Sequence, residues 1–459
     1  MSAAFGSIGN PISMMNEAAD VIVIGAGVAG LAAARLLAGE GVRVLVLEAR
    51  SRIGGRIWTA HNVDGIPVEM GAEFIHGRPR AIFDLVEAGE LEVAESNGVQ
   101  WVQSNDHLQR GDDFFAGIQN ILEKMDDHGP DRSFASHLDE CSGIDDAAKL
   151  WGLEYIEGFH GALAERISMH SLVRSKRAEG KIDGHRSFRF LHGYESLLKV
   201  FTNALPPKLV TIRLNTAVRA IRWSERQVSV EAKTETGPVE FTAGMALITL
   251  PLGVLQAPPE APGAVRFDPE LEDKASAMAL LYMGQTIRVS MIFRDKWWER
   301  IATADSGQGA FRDLGFVHSH QEWFPTWWTP GGSSPVLTGW AASRRGERLS
   351  RRDVMFIKDK ALESLASIFG VRKLTLEPEL LSWHVHDWQS DPYSRGSYSY
   401  EGVGGEGAQA ELAAPVAETL YFAGEATDCE GNHATVHGAI ATGERAAREI
   451  IAALDARIR

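Results

Sequence analysis

Three glycines near the start of the chain have a spacing that could hold a phosphate group. In VIVIGAGVAG, residues 21–30, Gly25, Gly27 and Gly30 follow an apolar strand and open a helix. The first permits a tight turn, the second lets the backbone approach a pyrophosphate, and the third lets the helix pack on the strand. Glu48 ends the next strand, where it can accept hydrogen bonds from a ribose. The pattern predicts a bound dinucleotide and leaves FAD and NAD both open.

The next segment narrows the identity of the dinucleotide. It reads EARSRIGGRIWT, and its glycine pair, Gly54 and Gly55, would let a second loop pass close to the diphosphate. Arg52 and Arg56 offer guanidinium groups to phosphate oxygens. The pattern E-A-R-x-R-x-G-G-R resembles the start of the FAD-dependent amine oxidase family. That family includes monoamine oxidases, polyamine oxidases and flavin-dependent lysine demethylases, so the resemblance implies FAD.

The far end of the chain resembles a second signature of the same family. YFAGEATDCEGNHATVHGAIATGERAAREI, residues 421–450, is similar over its whole length to the C-terminal flavin motif. The resemblance places the turn at Gly424 and Glu425 on the diphosphate and ribityl of the cofactor. It places residues 434–436, which open the last helix, beside the flavin ring. We expect free N–H groups there to face the atoms on which negative charge develops during reduction.

The segment just before this motif resembles the region beside the flavin in polyamine oxidases and lysine demethylases. In WQSDPYSRGSYSY, residues 388–400, Tyr398 aligns with the family tyrosine that stands against the substrate. Trp388 aligns with a tryptophan beside the ring, and a plain core position is the alternative. Ser397 replaces the cysteine that bonds to the flavin in monoamine oxidases, so we expect non-covalent FAD. Thr435 replaces their second tyrosine, so these two positions cannot form a two-tyrosine cage.

An arginine interrupts a strand that is otherwise apolar. In MGQTIRVSMIF, residues 283–293, apolar residues alternate along one face and Arg288 points to the other. Family members carry G-x-x-x-K-V here, and their lysine holds a water against flavin N5. The spacing from Gly284 puts Arg288 at the position of that lysine. The alternative is a solvated arginine on an edge strand. Arginine at this position can orient a water but cannot act as a base, because it keeps its proton.

Acidic residues near the cofactor motifs are candidates for binding a cationic substrate. Glu73 and His76 lie in GAEFIHG, residues 71–77, which resembles a polyamine oxidase segment. Glu157 lies on a predicted helix, for which an ordinary solvated face is the alternative. Amino-acid oxidases need an arginine to bind the substrate carboxylate, and Phe74 stands near its place, although Arg78 and Arg80 follow closely in the chain. This disfavours an L-amino acid as the substrate.

The residues that the resemblance implicates fall into three groups. Those expected at the reacting centre are Arg288, Tyr398 and Thr435; those expected to bind substrate are Glu73, His76, Glu157 and Tyr398; and those expected to bind FAD are Gly25, Gly27, Ala29, Gly30, Glu48, Ala49, Arg50, Gly54, Gly55, Arg56, Gly71, Ala72, Glu73, Val218, Pro251, Trp388, Gly424, Glu425, Thr435 and Val436. No metal site is expected. The only cysteines are Cys141 and Cys429, too few for a disulfide framework or a cysteine-rich metal site.

The chemistry that the resemblance implies is oxidation of a polyamine-like or other primary or secondary amine. The amine would pass a hydride to flavin N5, the imine would hydrolyse, and dioxygen would be reduced to hydrogen peroxide. The protein would orient the C–H bond and exclude bulk water. Two alternatives stay open. One is a dehydrogenase or desaturase that uses another electron acceptor, and the other is a non-catalytic module with a structural flavin.

The motifs require elements from both ends of the chain to meet. Strands are predicted at 20–25, 43–48, 284–294, 335–342 and 379–386, with several more over 209–250; helices are predicted at 29–40, 145–165, 193–204, 270–281, 353–369 and from about 435. The fold class is α/β, a doubly wound Rossmann-like FAD-binding domain interleaved with an α+β substrate-binding domain. We expect a flexible tail at 1–18, an FAD-binding domain from 19–78, 192–261 and 384–459, and a substrate-binding domain from 79–191 and 262–383. The tryptophans Trp323, Trp327, Trp328 and Trp340 are expected in the core.

Composition disfavours several other classes of protein. The 459 residues include 46 basic and 61 acidic side chains, and the net charge of −15 disfavours nucleic acid as a partner. The longest apolar run, residues 21–39, is broken by glycines and an arginine, so it does not predict a membrane span. Residues 1–20 show no basic and apolar signal-peptide regions, so we expect a cytoplasmic protein. The sequence does not decide between a monomer and a homodimer.

Overall fold

The structure, a computed structural model, describes residues 13–14, 19–62, 65–104, 107–111, 114–303 and 307–458. The tail predicted at 1–18 lies outside the described residues except for Ser13–Met14. This short strand pairs in parallel with the strand Gly237–Ala243. The backbone at Ser13–Met14 is therefore part of a sheet.

A five-stranded parallel sheet, called here the nucleotide sheet, joins the two ends of the chain. Its strands, in spatial order, are Val210–Arg213, Val44–Leu47, Val21–Ile24, Met245–Ile248 and Leu420–Phe422. The strand that leads into the glycine motif, Val21–Ile24, and the strand of the C-terminal motif, Leu420–Phe422, are thus separated by a single strand. Every residue of Val21–Ile24 and Val44–Leu47 is buried, as expected for apolar runs covered on both faces of a parallel sheet.

The two faces of the nucleotide sheet are covered differently. The helices Val28–Gly39 and Val436–Ile458 pack against one face. The other face packs against a second sheet, whose strands are Ser13–Met14, Gly237–Ala243, Gln227–Thr234, Ala217–Ser224 and Arg266–Asp268. Buried and half-exposed residues alternate along Gln227–Thr234, which suits a sheet with one face in the core and one in solvent. The Rossmann-like α/β core is confirmed, with a sheet in place of helices on this second face.

A seven-stranded sheet, called here the large sheet, forms the other part of the protein. Its strands, in spatial order, are Leu380–His386, Thr286–Phe293, Val336–Ala342, Thr326–Trp328, Leu314–His318, Val99–Ser104 and His107–Arg110. Thr286–Phe293 is paired on both sides and every residue in it is buried. Its apolar face packs on the helix Val354–Ile368. The edge-strand alternative for Arg288 is therefore wrong.

Smaller sheets and the remaining helices complete the described fold. The smaller sheets pair Ile75–His76 and Val93–Glu95 with Ser187–Phe190, Leu281–Met283 with Ser399–Glu401, Thr59–His61 with Pro67–Glu69, and Ala302–Thr303 with Gly307–Gln308. The other helices are Arg80–Ala88, Phe114–Glu123, Phe134–Glu140, Asp146–His160, Met169–Gly180, Glu195–Asn203, Leu252–Leu255, Glu272–Ala279, Arg344–Leu349, Lys373–Leu376 and Ala408–Ala413, with single 3₁₀ turns at Trp297–Arg300, Glu377–Glu379 and Glu425–Thr427. The helix predicted at 145–165 ends at His160, because Gly161 takes a left-handed conformation with φ of 61°.

Among the residues that the structure describes, no helix combines the length and the apolar character needed to span a membrane.

Candidate active site

A cavity of about 1270 Å³ extends from the glycine turn of the nucleotide sheet to the large sheet. All the residues assigned above to the three groups line this cavity except Gly30. Gly30 instead serves packing, since a Cβ there would lie 2.1 Å from the carbonyl oxygen of Gly25. Residues that are far apart in the chain thus converge on one space, larger than the roughly 300–1,000 Å³ of ordinary small-molecule pockets.

The glycine turn leaves an open cradle at one end of the cavity. A Cβ built on Gly27 would meet no atom within 4 Å, so only the missing side chain keeps this position open. Gly54 bridges to Gly27, and its N–H donates to the carbonyl of Ala26 over 2.8 Å. The two glycine loops therefore lie side by side, as a diphosphate held by backbone N–H groups requires.

Glu48 stands at the end of its strand beside this cradle. Its Oε2 accepts from the N–H of Ala26 over 2.9 Å, and its Oε1 accepts from the N–H of Arg50 over 3.0 Å. These bonds fix the carboxylate, and each oxygen keeps acceptor capacity for a ribose hydroxyl. The cradle and this fixed acid together fit the dinucleotide part of FAD.

The two arginines expected at the diphosphate differ in position. Arg56 lines the cavity. Arg52 does not: its Nη1 donates to the carbonyl of Ile57 over 3.2 Å, and its guanidinium lies 4.7 Å from the centroid of the Trp58 ring. The expectation that Arg52 contacts phosphate oxygens is therefore not supported, because its side chain is turned onto the neighbouring loop.

Arg56 and Glu425 tie the first motif to the last. Nη1 of Arg56 donates to Oε1 of Glu425 over 2.8 Å and to the carbonyl of Ser397 over 2.9 Å. Oε2 of Glu425 accepts from the hydroxyl of Ser399 and from the N–H of Ala434, over 2.6 and 2.9 Å. Burial opposes ionisation of Glu425, but Arg56 and these donors hold its pKa below the usual value. The N–H of Ala434 is thus bonded to Glu425. The expectation that this N–H is free to face a flavin is therefore wrong.

Tyr398 connects the cofactor part of the cavity to its other end. Its hydroxyl donates to the carbonyl of Phe159 over 2.9 Å, and its ring packs on Gly161, where a Cβ would lie 3.4 Å away. Burial raises the pKa of the Tyr398 hydroxyl, which therefore stays protonated. The hydroxyl of Thr435, which also lines the cavity, donates to the carbonyl of Asn432 over 2.6 Å.

Arg288 and Glu73 form a buried pair in the cavity wall. Nη2 of Arg288 donates to Glu73, and its Nη1 donates to the carbonyl of Gly71 over 2.9 Å. Glu73 also contacts Nε of Arg189 at 2.8 Å and accepts from Nε1 of Trp328 at 3.0 Å. Burial opposes ionisation of Glu73, but the two guanidinium groups hold its pKa below the usual value. Both carboxylate oxygens of Glu73 are therefore engaged before any substrate arrives.

Glu157 is similarly engaged. Its Oε1 accepts from Nη1 of Arg344 over 2.9 Å and from the N–H of Ala164 over 3.4 Å. Burial raises the pKa of its carboxyl. Trp388, for which core and cofactor positions were both open, lines the cavity while its Nε1 donates to the carbonyl of Met70 over 2.9 Å.

Aromatic side chains form the end of the cavity away from the glycine turn. They include Phe74, Tyr155, Phe159, Phe316, Trp328, Trp340 and Tyr398. Two of the four tryptophans expected in the core, Trp328 and Trp340, are thus cavity residues, because the antiparallel register places Trp340 opposite Arg288. Trp327 is fully buried in the core, as expected, and Trp323 packs partly buried against it.

Neutral histidines line the same space. Burial lowers the pKa of His76, His318, His433 and His437 to about 4 and that of His160 to about 3. Buried imidazoles favour the uncharged form because burial penalises a charge. At neutral pH these five side chains add no positive charge that would repel a cation.

Residues 28–451 match the family model for flavin containing amine oxidoreductases. The chain belongs to this family. Among its relatives, polyamine oxidase 4 of Oryza sativa subsp. japonica is 30% identical, with 94% of this chain and 88% of the relative covered. Lysine-specific histone demethylase 1 homolog 2 of the same plant is 28% identical, and this chain spans 60% of its length. The predicted family, enzyme class and FAD cofactor of this amine oxidoreductase are confirmed.

Solved structures show the same fold. A putrescine oxidase bound to putrescine aligns with a TM-score of 0.77 at 21% identity, covering 96% of this chain and 100% of that one. Cyclohexylamine oxidase from Brevibacterium oxydans IH-35A aligns with a TM-score of 0.76 at 21% identity, covering 95% and 99% of the two chains. The predicted Rossmann-like fold of the amine oxidoreductase is confirmed by these alignments.

Several cavity residues of the amine oxidoreductase were not predicted from its sequence. Tyr155 and Phe159 lie one turn apart on the helix Asp146–His160, on which only Glu157 was predicted from the sequence to bind substrate. Their i, i+4 spacing could have indicated that the two rings share one face of the helix. Glu179 lines the cavity from the helix Met169–Gly180. Nothing in its local sequence separates it from the solvated acids of other helices.

Proposed function

We propose that this chain is an FAD-dependent oxidase of primary or secondary amines, with a polyamine-like amine as the first candidate. The observation that carries the proposal is the position of Tyr398. Its neighbours Ser397 and Ser399 bond to Arg56 and Glu425 in the cofactor part of the cavity. Its own hydroxyl bonds to the aromatic end. One residue therefore joins the place expected for the flavin to the place expected for an amine.

The cofactor would be held by the chain in a defined direction. The glycine cradle and Arg56 would hold the diphosphate, Glu48 the ribose, and Val218 the adenine. Bound FAD would supply the electron acceptor, taking a hydride at N5 and passing two electrons to dioxygen to give hydrogen peroxide. Non-covalent binding is expected because Ser397, whose hydroxyl donates to the carbonyl of Gly284 over 2.9 Å, stands where monoamine oxidases carry the cysteine that bonds to the flavin. Acid precipitation should release all flavin to the supernatant, whereas yellow colour in the pellet would contradict it.

The chain's part in the reaction would be to bind, orient and dehydrate the amine. Aromatic faces can hold an alkyl chain and attract a cation. The neutral imidazoles of His76 and His437 let an ammonium enter and lose its proton without repulsion. Nη1 and Nη2 of Arg288 are held by the carbonyl of Gly71 and by Glu73. The N–H groups that these bonds do not use would orient a water near the reacting atoms.

An L-amino acid is disfavoured as the substrate by the state of the cavity arginines. Arg345 lines the cavity, but Nη1 and Nη2 each bond to Glu154 over 2.7 Å. Arg288 is bound to Glu73. Neither guanidinium offers the free fork that a substrate carboxylate needs.

A dehydrogenase with another electron acceptor is the second candidate. The observation that favours it is Arg288 itself, a permanently charged group where relatives carry a lysine that can lose its proton. A peroxide assay in air with panels of amines and amino acids tests both candidates. The proposal predicts peroxide with amines only. Amine turnover that needs an added electron acceptor would select the dehydrogenase.

We also propose the division of the chain into an FAD-binding and a substrate-binding domain with the boundaries given above. All five strands of the nucleotide sheet fall in the first set of segments. The strands of the large sheet fall in the second, except that Leu380–His386 crosses the boundary at residue 384.

A further inference from the structure

Glu179 is a carboxylate that the site described above does not use. It lies near the end of the helix Met169–Gly180 and lines the cavity together with Tyr155 and Lys176. The other cavity glutamates are engaged: Glu48 with backbone N–H groups, Glu73 with Arg288 and Arg189, Glu154 with Arg345, Glu157 with Arg344, and Glu425 with Arg56. Within the described residues, no hydrogen bond or ion pair is made by the Glu179 carboxylate.

A short series of neighbouring side chains leads from Tyr398 towards Glu179. The Tyr398 hydroxyl bonds to the carbonyl of Phe159. The Phe159 ring stacks on Tyr155 with centroids 5.7 Å apart and planes at 5°. Tyr155 lies close enough to Glu179 for that carboxylate to raise the pKa of the tyrosine further, beyond the effect of burial. Tyr155 and Phe159 are one helical turn apart, about 6 Å along the axis, and the Glu179 carboxylate acts on the pKa of Tyr155 but not on that of Tyr398.

The backbone at Glu179 is held firmly while its carboxylate is left unbound. The carbonyl of Glu179 accepts from the N–H groups of Ile182 and Gly184 over 3.1 and 2.8 Å. A Cβ on Gly184 would lie 2.6 Å from the Cβ of Glu179, so this loop packs directly against the side chain. Lys176, one turn earlier, donates from Nζ to the carbonyl of Leu122 over 3.0 Å. The nearest ammonium group of the same helix is therefore committed elsewhere.

We propose that Glu179 binds the second ammonium group of a linear diamine or polyamine whose first amine reacts beside Tyr398. The inference rests on the proposed function, because it names the substrate class of the same cavity. Tyr155 and Phe159 would line the methylene chain between the two nitrogens. A monoamine would lack the group that Glu179 recognises.

The charges around Glu179 suit a ligand that brings its own positive charge. Burial raises the pKa of Glu179 to about 7, and Lys176 opposes that rise in part. Tyr155 faces it from the neighbouring helix, and Asp183 and His185 line the cavity from the following loop. Near neutral pH the free carboxyl is therefore partly protonated, and an ammonium would favour its ionised form. Preference for diamines over monoamines should rise as pH increases through about 7.

The test uses FAD-loaded wild type and Glu179→Gln with matched pairs of amines, from 1,4-diaminobutane and butylamine to 1,8-diaminooctane and octylamine. Flavin reduction under nitrogen gives a limiting rate and a half-saturating concentration for each amine. The wild type should prefer one diamine length over its monoamine. In Glu179→Gln the half-saturating concentration of that diamine should rise about tenfold, because the variant loses one charge-assisted hydrogen bond to the second ammonium group. The limiting rate and all monoamine values should not change.

Two further variants separate recognition from a structural role. Glu179→Asp, which withdraws the carboxylate by one methylene, should shift the preference towards longer diamines. Glu87→Gln, on the exposed side of another helix, should behave as the wild type. An unchanged diamine value in Glu179→Gln, or equal losses for diamine and monoamine, would overturn the inference while the proposed function stands.

Failure of the proposed function would have a different signature. If no amine reduces the wild-type flavin, the oxidase proposal is wrong. Calorimetric titration of FAD-loaded wild type and Glu179→Gln with 1,8-diaminooctane then tests whether Glu179 binds an ammonium group. Binding that is weakened by Glu179→Gln would support the subsite. No binding, or equal binding to both proteins, would reject it.

Discussion

Arg56 and Glu425 lie 369 positions apart in the sequence, yet Nη1 of Arg56 lies 2.8 Å from Oε1 of Glu425. Arg56 belongs to the glycine-rich loop after the second strand, and Glu425 belongs to the C-terminal motif. Both line the cavity. The pair therefore joins the two motifs in the wall of the cavity in which we propose that FAD binds.

Replacing Glu425 by glutamine should weaken both stability and FAD binding. Glutamine cannot neutralise Arg56, and breaking a buried ion pair on one side costs about 3–5 kcal/mol. Chemical unfolding and the ratio of flavin to protein absorbance measure the two effects. Glu449→Gln is the control, since Glu449 pairs with Arg445 one helical turn away on a partly exposed face, where such pairs contribute about 0.3–0.5 kcal/mol. Wild-type flavin content in Glu425→Gln would contradict this role.

The glycine turn allows cofactor binding to be separated from folding. Gly27→Ala should fold normally, because the new methyl meets no protein atom within 4 Å, but it should lose FAD because the methyl occupies the approach to the pyrophosphate. Gly30→Ala should impair folding itself, because its Cβ would lie 2.1 Å from a backbone oxygen. Thermal unfolding of the apoproteins and FAD titration give the two readouts. Tight FAD binding by Gly27→Ala would be inconsistent with a diphosphate at this turn.

Replacing Arg288 by lysine should change flavin reoxidation more than flavin content. The charge is kept, but the planar fork that contacts Gly71 and Glu73 is lost. Stopped-flow mixing of reduced enzyme with air-saturated buffer measures the rate. Arg189→Lys is the matched control, because Arg189 also contacts Glu73 but is not among the cavity-lining residues. Identical reoxidation in Arg288→Lys and the wild type, or equal changes in both variants, would reject a direct role for Arg288.

The neutral cavity histidines predict a loss of stability in acid. Unfolded histidine titrates near pH 6.5, whereas folded His76, His318 and His437 titrate at about 4. Between these values the unfolded chain binds more protons, so stability is fully present above about pH 6.5 and is lost as the pH falls towards about 4. Apoprotein unfolding temperatures measured across this range should fall steeply.

Single replacements distinguish the effect of a buried histidine on the pH dependence of unfolding from that of an exposed histidine. His318→Gln should make the pH dependence of unfolding shallower, because one proton fewer is taken up on unfolding. His192→Gln, at a side chain with 74% exposure, should leave it unchanged. An unfolding temperature that does not change between about pH 7 and about pH 5 would contradict buried neutral histidines.

The nucleotide sheet and its motifs were predictable because their signals are local. Val21–Ile24 and Val44–Leu47 are apolar runs next to glycines or an acid, and such patterns depend on neighbours in the chain. The convergence of both ends followed only from resemblance, since the Arg56–Glu425 contact is invisible to local pattern.

The parts that escaped prediction depend on long-range packing. Trp340 faces the cavity because the register of two antiparallel strands sets it opposite Arg288, and no local rule fixes that register. Glu73 seemed available for a substrate because its partners, Arg189 and Arg288, come from distant strands. Glu179 was passed over because polar helix residues have the same spacing whether they face solvent or a cavity.

Anaerobic titration of the FAD-loaded protein with amines tests the central claim most directly. The account predicts that an amine bleaches the flavin absorbance under nitrogen, and that admitting air restores it with one peroxide formed per flavin. A flavin that no amine bleaches, in a protein that holds FAD firmly, would contradict the assignment of this cavity to amine oxidation.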